Sequence, residues 1–299
     1  KAKVLYTFNI RVELNLGNKD TVATDDSITE KPFTVYISGI DVYGDVSETS
    51  RSDVNIIAVV NPQTHQILLV TTPRDYYVPI PGISGGQRDK LTHAGIYGVD
   101  ASMRTLGELY ETDINYYARL NFTSLIDIVD TLGGIDVYSE YAFTTSEDSE
   151  HVMDVKKGYN HFNGEEALAF SRERQNVPGG DNQRGKDQQA VITAMIKKMV
   201  SPAILTGANG IITSVSGNVD TNMSMDQIQE LIKTQLAEAP SWSIKSLAAE
   251  GTGDEQMCYS YAGAPLYVMQ PNQESVDGIK AAIQAVQNGE ALDGAVTTE

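Results

Sequence analysis

Residues 53–74 read DVNIIAVVNPQTHQILLVTTPR, which is two apolar runs around a short polar turn. The runs 53–61 and 66–72 are typical of β-strands, and the proline and polar residues between them are typical of a turn. A turn of this length fixes the register so that Asp53 lies opposite Arg74. The stretch therefore predicts a β-hairpin whose open end gathers charged side chains.

Two aspartates are predicted to meet at that end of the sheet. Residues 32–40 form another strand-like run that leads into Asp41, and a loop of about ten residues returns the chain to Arg51 and Asp53. Carboxylates about 4 Å apart repel by roughly 1 kcal/mol in water and by about 4 kcal/mol at an effective dielectric near 20, so a stable pair needs a proton or a cation. Mg²⁺ held by one or two carboxylates and by substrate phosphate meets this need, and Mn²⁺ accepts the same ligands. A salt-bridge cluster with Arg51 and Arg74 is the alternative.

A second basic group follows a predicted helix start. Asn163-Gly-Glu-Glu166 has the pattern of a capping box. The helix runs into Ser171-Arg172-Glu173-Arg174, and in an extended chain Arg172 and Arg174 point to the same side.

A longer helix is predicted after the turn Pro178-Gly-Gly-Asp181. One stripe of this helix follows spacings of three and four, and it consists of Arg184, Gln188, Val191, Ile192, Met195 and Met199. Its apolar part must face the core, so Arg184 and Gln188 lie inward near a helix N-terminus, which favours anions. Three of the nine arginines lie within residues 172–184. This cluster predicts an anion site, because one guanidinium group can donate two parallel hydrogen bonds to the oxygens of a phosphate. Solvated arginines at helix ends are the alternative.

The composition excludes several function classes. Lys and Arg number 22 against 40 Asp and Glu, and the net charge of −18 argues against nucleic acid as a partner. The single cysteine, Cys258, excludes an internal disulfide and is interpreted as a small core residue. The four histidines show no metal-ligand spacing, no Gly-x-Ser-x-Gly is present, and Asp187 stands where a Walker loop needs Ser or Thr. No run of eighteen apolar residues exists, which predicts that these residues contain no membrane span.

The order of elements predicts an α/β fold, an α-β-α sandwich with a central mixed β-sheet and helices on both faces. Further helices are predicted near residues 98–110, 123–132, 202–213, 224–238 and 273–288, and further strands near 114–121, 242–248 and 257–262. Residues 1–31 are interpreted as an N-terminal strand, with alternating apolar residues at 4–14, and a connection. They are either a remnant of an upstream accessory or anchor region or an added strand of the main sheet. Residues 32–288 are interpreted as the catalytic domain, and residues 289–299 are interpreted as a flexible tail.

Seven motifs, in order, resemble the LytR-CpsA-Psr family of Gram-positive cell envelopes. The motifs are Ile37-Ser-Gly-Ile-Asp41, Ser50-Arg-Ser-Asp53, Thr72-Pro-Arg-Asp75, Asp89-Lys-Leu-Thr-His-Ala94, Asp130-Thr-Leu-Gly-Gly-Ile-Asp136, Gly164-Glu-Glu-Ala-Leu-Ala-Phe-Ser-Arg-Glu-Arg174 and Gly180-Asp-Asn-Gln-Arg-Gly-Lys-Asp-Gln-Gln189. They cover about residues 33–200, and a weaker echo follows at Tyr267-Val-Met-Gln-Pro-Asn272. Each motif alone is weak evidence for the family, but the occurrence of all seven in this order makes the resemblance specific.

The resemblance implies a Mg²⁺-dependent phosphotransferase. Such an enzyme moves an anionic glycopolymer, of the teichoic acid or capsular polysaccharide type, from an undecaprenyl-pyrophosphate carrier to peptidoglycan. A polyprenyl pyrophosphate phosphatase and a non-catalytic polyprenyl-phosphate binding protein are the alternatives. The resemblance also implies a place on the extracellular face of the cytoplasmic membrane, held by an anchor upstream of Lys1.

The resemblance assigns roles to individual residues. The metal-associated aspartates are Asp41 and Asp53. The pyrophosphate-contacting positions are Arg51, Arg74, Arg172, Arg174, Arg184 and Gln188, together with Lys90, whose motif role is less defined. Arg74, Asp75 and Asp181 are the catalytic candidates, and either aspartate is a candidate to accept the proton of the acceptor hydroxyl. The sequence departs from the family pattern at Lys186-Asp187 and at Gln175, which bears on the choice of substrate.

A lipid-linked donor also needs an apolar shelter for its hydrocarbon chain. Removing apolar surface from water contributes about 25 cal/mol per Å², so we expect an apolar tunnel beside Arg74 and Arg184. Its candidate walls are Met103, Leu106, Leu125, Ile128, Val129 and Leu132. Ordinary core packing is the alternative for each of them.

Overall fold

A computed structural model describes residues 27–40, 50–205, 218–238 and 241–297. Asp41 and the predicted strand at residues 4–14 lie outside the described residues. The strands are β1 Phe33–Ile40, β2 Val54–Asn61, β3 Gln66–Thr71, β4 Tyr77–Pro79, β5 Arg88–Lys90, β6 Tyr116–Asn121, β7 Ile135–Ser139, β8 Phe143–Thr144, β9 Asp154–Val155, β10 Gly158–Phe162, β11 Asp220–Thr221, β12 Ser243–Ala248, β13 Gly251–Cys258, β14 Tyr261–Pro271 and β15 Val296–Thr297.

The main sheet has seven strands among these residues, in the order β11-β6-β1-β2-β3-β12-β15. It is mixed, because β6 runs parallel to β1 and β12 runs parallel to β3, while β2 is antiparallel to both of its neighbours. Asn61 pairs with Gln66 and Ile56 with Thr71, which confirms the predicted register of the hairpin. Asp53 directly precedes β2, so the register also fixes the positions of β1 and β3 relative to Asp53.

Eight helices are described among the same residues, and a short 3₁₀ turn, Gly95–Tyr97, joins the first two. They are α1 Leu91–Ala94, α2 Val99–Tyr110, α3 Phe122–Thr131, α4 Gly164–Arg172, α5 Asp181–Met199, α6 Pro202–Leu205, α7 Met225–Glu238 and α8 Gln273–Gln287. The predicted capping box is present, since Asn163 Oδ1 accepts from the Glu166 amide and the Glu166 carboxylate accepts from the Asn163 amide. The predicted helix at 202–213 is confirmed only for its first turn, because residues 206–217 lie outside the described chain.

Alternating side chains of the central strands enter two separate cores. Ile56 and Ala58 pack with residues of α3, α4 and α5, whereas Ile57 and Val59 pack with residues of α2 and α8. Each fully buried aliphatic side chain contributes about 1.5–3 kcal/mol. Helices thus cover both faces of the mixed sheet, and the α-β-α sandwich is confirmed.

The prediction of a single strand at residues 257–262 is correct for residues 257–258 and 261–262 but wrong for the two residues between them. The chain instead turns at Tyr259 and Ser260, between β13 and β14, which form a separate two-stranded hairpin. Glycines are depleted in strands, and those at 251, 253 and 263 hide the β pattern of this segment. The hairpin lies against β4 and β5, the strands that follow Arg74.

The ends of the described chain complete the fold. In the segment predicted as a flexible tail, Val296–Thr297 pairs antiparallel with Ser243–Ile244, so that expectation does not hold for these two residues. The edge of β12 offers unpaired backbone groups that a short strand can satisfy. Within the part of the chain that the structure describes, no helix is both long and apolar enough to cross a membrane.

Candidate functional site

The open end of the β2–β3 hairpin carries an ion pair. Arg74 Nη1 donates to Asp53 Oδ1 at 2.6 Å, and the Asp53 amide donates to the carbonyl of Gly39 at 3.0 Å. The Arg74 side chain is 34% exposed and that of Asp53 15%. The predicted meeting of Asp53 and Arg74 is therefore present, at the edge where β1 also ends.

Arg51 lies in the loop that leads to this edge. The loop is held by a hydrogen bond from the Ser52 amide to the Thr92 carbonyl, and Arg51 itself is exposed. Gly95 allows this contact, because a Cβ at that position would lie 2.4 Å from the Ser50 carbonyl oxygen. Only glycine fits there.

Asp75 and Lys90 form a second ion pair next to the first. Lys90 Nζ donates to Asp75 Oδ1 at 2.8 Å, while Arg74 Nε lies 3.8 Å from Asp75 Oδ2. The backbone of Asp75 is held as well, because its carbonyl accepts from the Met269 amide of β14 at 2.7 Å. The candidates Asp53, Arg74, Asp75 and Lys90 thus form one chain of alternating charges.

The end of α4 brings Arg172 to the same region, with a correction to its geometry. Arg172 is the last residue of the helix, so the chain is not extended there, and the condition under which Arg172 and Arg174 would point to the same side is not met. Its guanidinium lies over the Phe122 ring at 4.6 Å and 3.4 Å from Glu150. Arg174 follows the helix end and is exposed.

Glu173, between the two arginines, is a positioning residue that sequence reasoning missed. Its carboxylate accepts from four backbone amides, those of Ser146, Arg174, Gln175 and Asn176. Burial alone would raise the pKa of Glu173, but these hydrogen bonds outweigh burial and hold the pKa below its ordinary value. The turn that carries Arg174 is folded around this carboxylate. An acidic residue at a helix end gives no sequence signal for such a role.

The first turns of α5 complete the basic region. Gly180, with φ of 51°, precedes the helix, and the Arg184 amide donates to its carbonyl. Arg184 is half-buried and Gln188, one turn later, is buried. Asp181 begins the helix, and its side chain lies outside the described part of the structure.

An apolar cleft opens between these elements. Its lining consists of Gly39, Ile40, Asp53, Val54, Leu120, Asn121, Phe122, Leu125, Ser171, Gln188 and Ile192. Its volume is about 20 Å³, room for about one water molecule. Apolar side chains therefore flank the charged groups, and the cleft is closed to a hydrocarbon chain in this conformation.

The predicted tunnel walls need a correction. Met103 and Leu106 pack in the core with Ile57, on the opposite face of the sheet from Leu125. The other four predicted residues pack together in the core beside α3, and they are Leu125, Ile128, Val129 and Leu132. Of these four, Leu125 alone lines the cleft. Helical spacing identifies an apolar face but not the side of the sheet that it covers.

Two buried carboxylates close to the site were also missed. Asp89 is fully buried and accepts from His93 Nδ1 at 2.6 Å and from the Ser260 amide at 2.9 Å. Asp187, in α5, accepts from Gln183 Nε2 at 2.9 Å, and its Oδ2 has no hydrogen-bond partner. Burial, reinforced by the charge of Glu140, raises the pKa of Asp187 to about 7. The Asp89–His93 spacing of four residues was the available signal for the first of these.

No group of three or more His, Cys, Asp or Glu side chains is placed to hold a metal ion among the described residues, which exclude Asp41. Asp53 is the predicted metal-associated residue whose position is given, and it lines the cleft.

Comparison with known proteins identifies the family. The LytR_cpsA_psr family matches residues 6–284, and the chain belongs to this family. A TagU protein of Bacillus cereus, named polyisoprenyl-teichoic acid--peptidoglycan teichoic acid transferase, is 36% identical over 219 residues, which is 72% of this chain and 69% of that protein. Further TagU relatives are matched over 64% of their length.

Solved structures agree with the fold. The crystal structure of B. subtilis TagV has a TM-score of 0.71 and 25% identity, covering 88% of this chain and 99% of that one. A structure of TagT bound to LI-WTA has a TM-score of 0.66 and 26% identity, covering 90% of this chain and 96% of that one. The α-β-α sandwich is therefore shared with these proteins.

Proposed function

We propose that this chain is a phosphotransferase that moves an anionic glycopolymer of the teichoic acid type from a polyisoprenyl-pyrophosphate carrier to peptidoglycan. The family membership and the activity named for the TagU relatives support this proposal. The single observation that carries it is the Asp53–Arg74 pair beside an apolar cleft that Asp53 and Gln188 line. A donor with a doubly charged head and a hydrocarbon tail needs both kinds of surface side by side.

The basic residues have a direct role in this chemistry. Arg74, Arg172, Arg174 and Arg184 come from three separate segments, so they can surround two phosphate groups from several sides. Transfer leaves growing negative charge on the leaving phosphate, and fixed guanidinium groups stabilise that charge in the transition state. Arg51, on the exposed loop, completes the basic set.

Asp75 is the candidate base among the described residues. An acceptor hydroxyl must lose a proton as it attacks phosphorus, and a carboxylate within hydrogen-bond reach can accept it. Lys90 and Arg74 keep the Asp75 carboxylate between two cations, and Arg74 is one of the arginines that would hold the donor. The identity of this base is part of the proposal, with Asp181 as the other candidate.

Two aspartates are the carboxylate ligands proposed for Mg²⁺. Mg²⁺ is usually bound through one or two carboxylates together with substrate phosphates, which matches Asp53 with Asp41 as the second ligand. When bound, Mg²⁺ would neutralise phosphate charge. Mn²⁺ accepts the same oxygen ligands.

The location follows from the substrates. Peptidoglycan and lipid-linked glycopolymer meet outside the cytoplasmic membrane, so we place the chain on the extracellular face of that membrane, in the cell envelope. The excess of 18 negative charges is compatible with a surface that leaves substrate binding to one local basic region.

Product analysis with a donor labelled in its glycopolymer tests the proposal. With purified peptidoglycan as acceptor, we expect label to become covalently attached to peptidoglycan and lipid phosphate to be released. Release of soluble glycopolymer phosphate with or without acceptor would indicate a phosphatase instead. Binding without any product would indicate a binding protein.

A further inference from the structure

The β13–β14 hairpin, which lies outside the main sheet, contacts the segment that carries the candidate base. The Met269 amide donates to the Asp75 carbonyl at 2.7 Å, and the Tyr259 amide donates to the Arg88 carbonyl at 3.1 Å. Tyr77 OH donates to the Met257 carbonyl at 2.7 Å. The hairpin is therefore attached both near its open end, at Met269, and at its turn.

Asp89 joins the hairpin turn to β5. Its buried carboxylate accepts from the Ser260 amide and hydroxyl, from His93 Nδ1 and from the Lys90 amide. Ser260 Oγ in turn accepts from Tyr97 OH at 2.8 Å. We call Asp89, His93 and Ser260 the Asp89 clamp.

The clamp holds a charged carboxylate in the interior. Burial alone would raise the pKa of Asp89, but the hydrogen bonds from His93 and Ser260 outweigh burial and keep the pKa below its ordinary value. Hydrogen bonds to an ionised acceptor are stronger than neutral ones, and a buried carboxylate that loses a donor is destabilised. The stretch from Asp89 to His93 and the hairpin turn at Ser260 are therefore held together by one group.

Lys90 connects Asp89 to the candidate site. Its backbone amide is bound by Asp89, and its ammonium group reaches Asp75 Oδ1. The Tyr267 ring of β14 lies 6.0 Å from the same ammonium group. Asp89 thus fixes the backbone of Lys90, and the hairpin contributes the Tyr267 ring beside its ammonium group.

We propose that Asp89 and Ser260 are positioning residues for the transfer reaction: by holding the hairpin turn against β5, they orient Lys90 and, through it, the Asp75 carboxylate. The inference rests on the proposed function, because Asp75 is the candidate base of that reaction. The residues act through Lys90 and do not touch substrate.

Ser260→Ala is the informative variant, because it removes one hydroxyl and leaves the backbone of the turn intact. Thr252→Ala, which removes an exposed hydroxyl from the same hairpin, is the matched control. We expect labelling of Lys90 by an amine-reactive reagent, followed by mass spectrometry, to become about fivefold faster or more in Ser260→Ala. Lys280, which is similarly shielded and paired with Glu111, should react at an unchanged rate.

Turnover supplies the second measurement. We expect Ser260→Ala to lower kcat for glycopolymer transfer. In a Lys90→Met background, Ser260→Ala should cause no additional loss. Unchanged Lys90 labelling in Ser260→Ala, or full additivity of the two substitutions, would overturn the proposal. If the wild type transfers no glycopolymer, the proposed function fails, while the labelling measurement still decides whether the clamp positions Lys90.

Discussion

Asp53 and Arg74 are 21 positions apart in the chain, and a 2.6 Å hydrogen bond joins their side chains across the open end of the hairpin. The pair is held from both strands, because the Thr72 amide bonds to the Asn55 carbonyl and the Asp53 amide bonds to Gly39. Neither side chain is part of an apolar core. The pair can therefore be altered without removing what stabilises the fold.

Asp53→Ala should abolish divalent-ion dependence and lower transfer by about 100-fold or more, the size typical of losing one electrostatic group in an active site. The residue precedes β2 and lines the cleft, so the thermal unfolding temperature should change little. Initial rates measured across a Mg²⁺ titration, with Asp53→Asn as an isosteric comparison, provide the test. Wild-type turnover in Asp53→Ala would contradict the metal assignment.

Arg74→Lys and Arg174→Lys keep the charge but lose the planar fork of the guanidinium group. A charge-assisted hydrogen bond is worth about 1.5–3 kcal/mol, so each variant should bind a polyprenyl pyrophosphate about tenfold or more weakly. Calorimetry measures this affinity directly. Arg104→Lys, at an exposed position of α2, is the control, and equal affinities in all three variants would favour the salt-bridge interpretation.

Glu173→Ala should destabilise the turn that carries Arg174. It removes the acceptor of four backbone amides, and each group left without a partner costs about 1–3 kcal/mol when it is buried. The lowered pKa of Glu173 means that its contribution to stability is present above the pKa of the unfolded state and is lost as pH falls through the folded pKa. Denaturant unfolding at pH 7 and in the acidic range checks both statements. An identical acid transition in wild type and Glu173→Gln would be inconsistent with them.

Asp187 should make the protein less stable as pH rises toward neutrality. Its pKa of about 7 lies above the usual 3.8, so the folded state binds a proton that the unfolded state lacks between these values. Stability therefore falls as pH rises from about 4 through about 7, and the full penalty remains above that range. The groups that act on it are Gln183, Glu140 and Lys186.

Asp187→Asn should remove this dependence because the amide never ionises. The variant should match the wild type near pH 4 and be about 1 kcal/mol or more stable than the wild type at pH 8. Unfolding midpoints at the two values provide the measurement. A constant difference between the two proteins across pH would show that Asp187 titrates normally.

Sequence reasoning succeeded where local chemistry is sufficient. The register of β2 and β3 follows from a short turn, and the start of α4 follows from Asn163 and Glu166, which lie three residues apart. The meeting of Asp53 with Arg74 followed from that register alone.

Long-range arrangements could not be predicted from the sequence. Ser260 binds a carboxylate 171 positions earlier in the chain, and no local pattern connects the two residues. Met103 and Leu125 both lie on apolar helix faces, yet they pack on opposite sides of the sheet, which depends on the path of the chain between strands. The role of Glu173 depends on amides that only the folded turn brings together.

The small volume of the cleft has a kinetic consequence for donor capture. Leu125 of α3 and Ile192 of α5 line a space that holds about one water molecule, so this cleft must widen, for example by separation of these helices, before it can hold a hydrocarbon chain. If that separation precedes binding, the observed association rate will rise with donor concentration and then level off at the opening rate. Donors with longer hydrocarbon chains would cover more of the newly exposed apolar surface, and they would dissociate more slowly while associating at the same limiting rate.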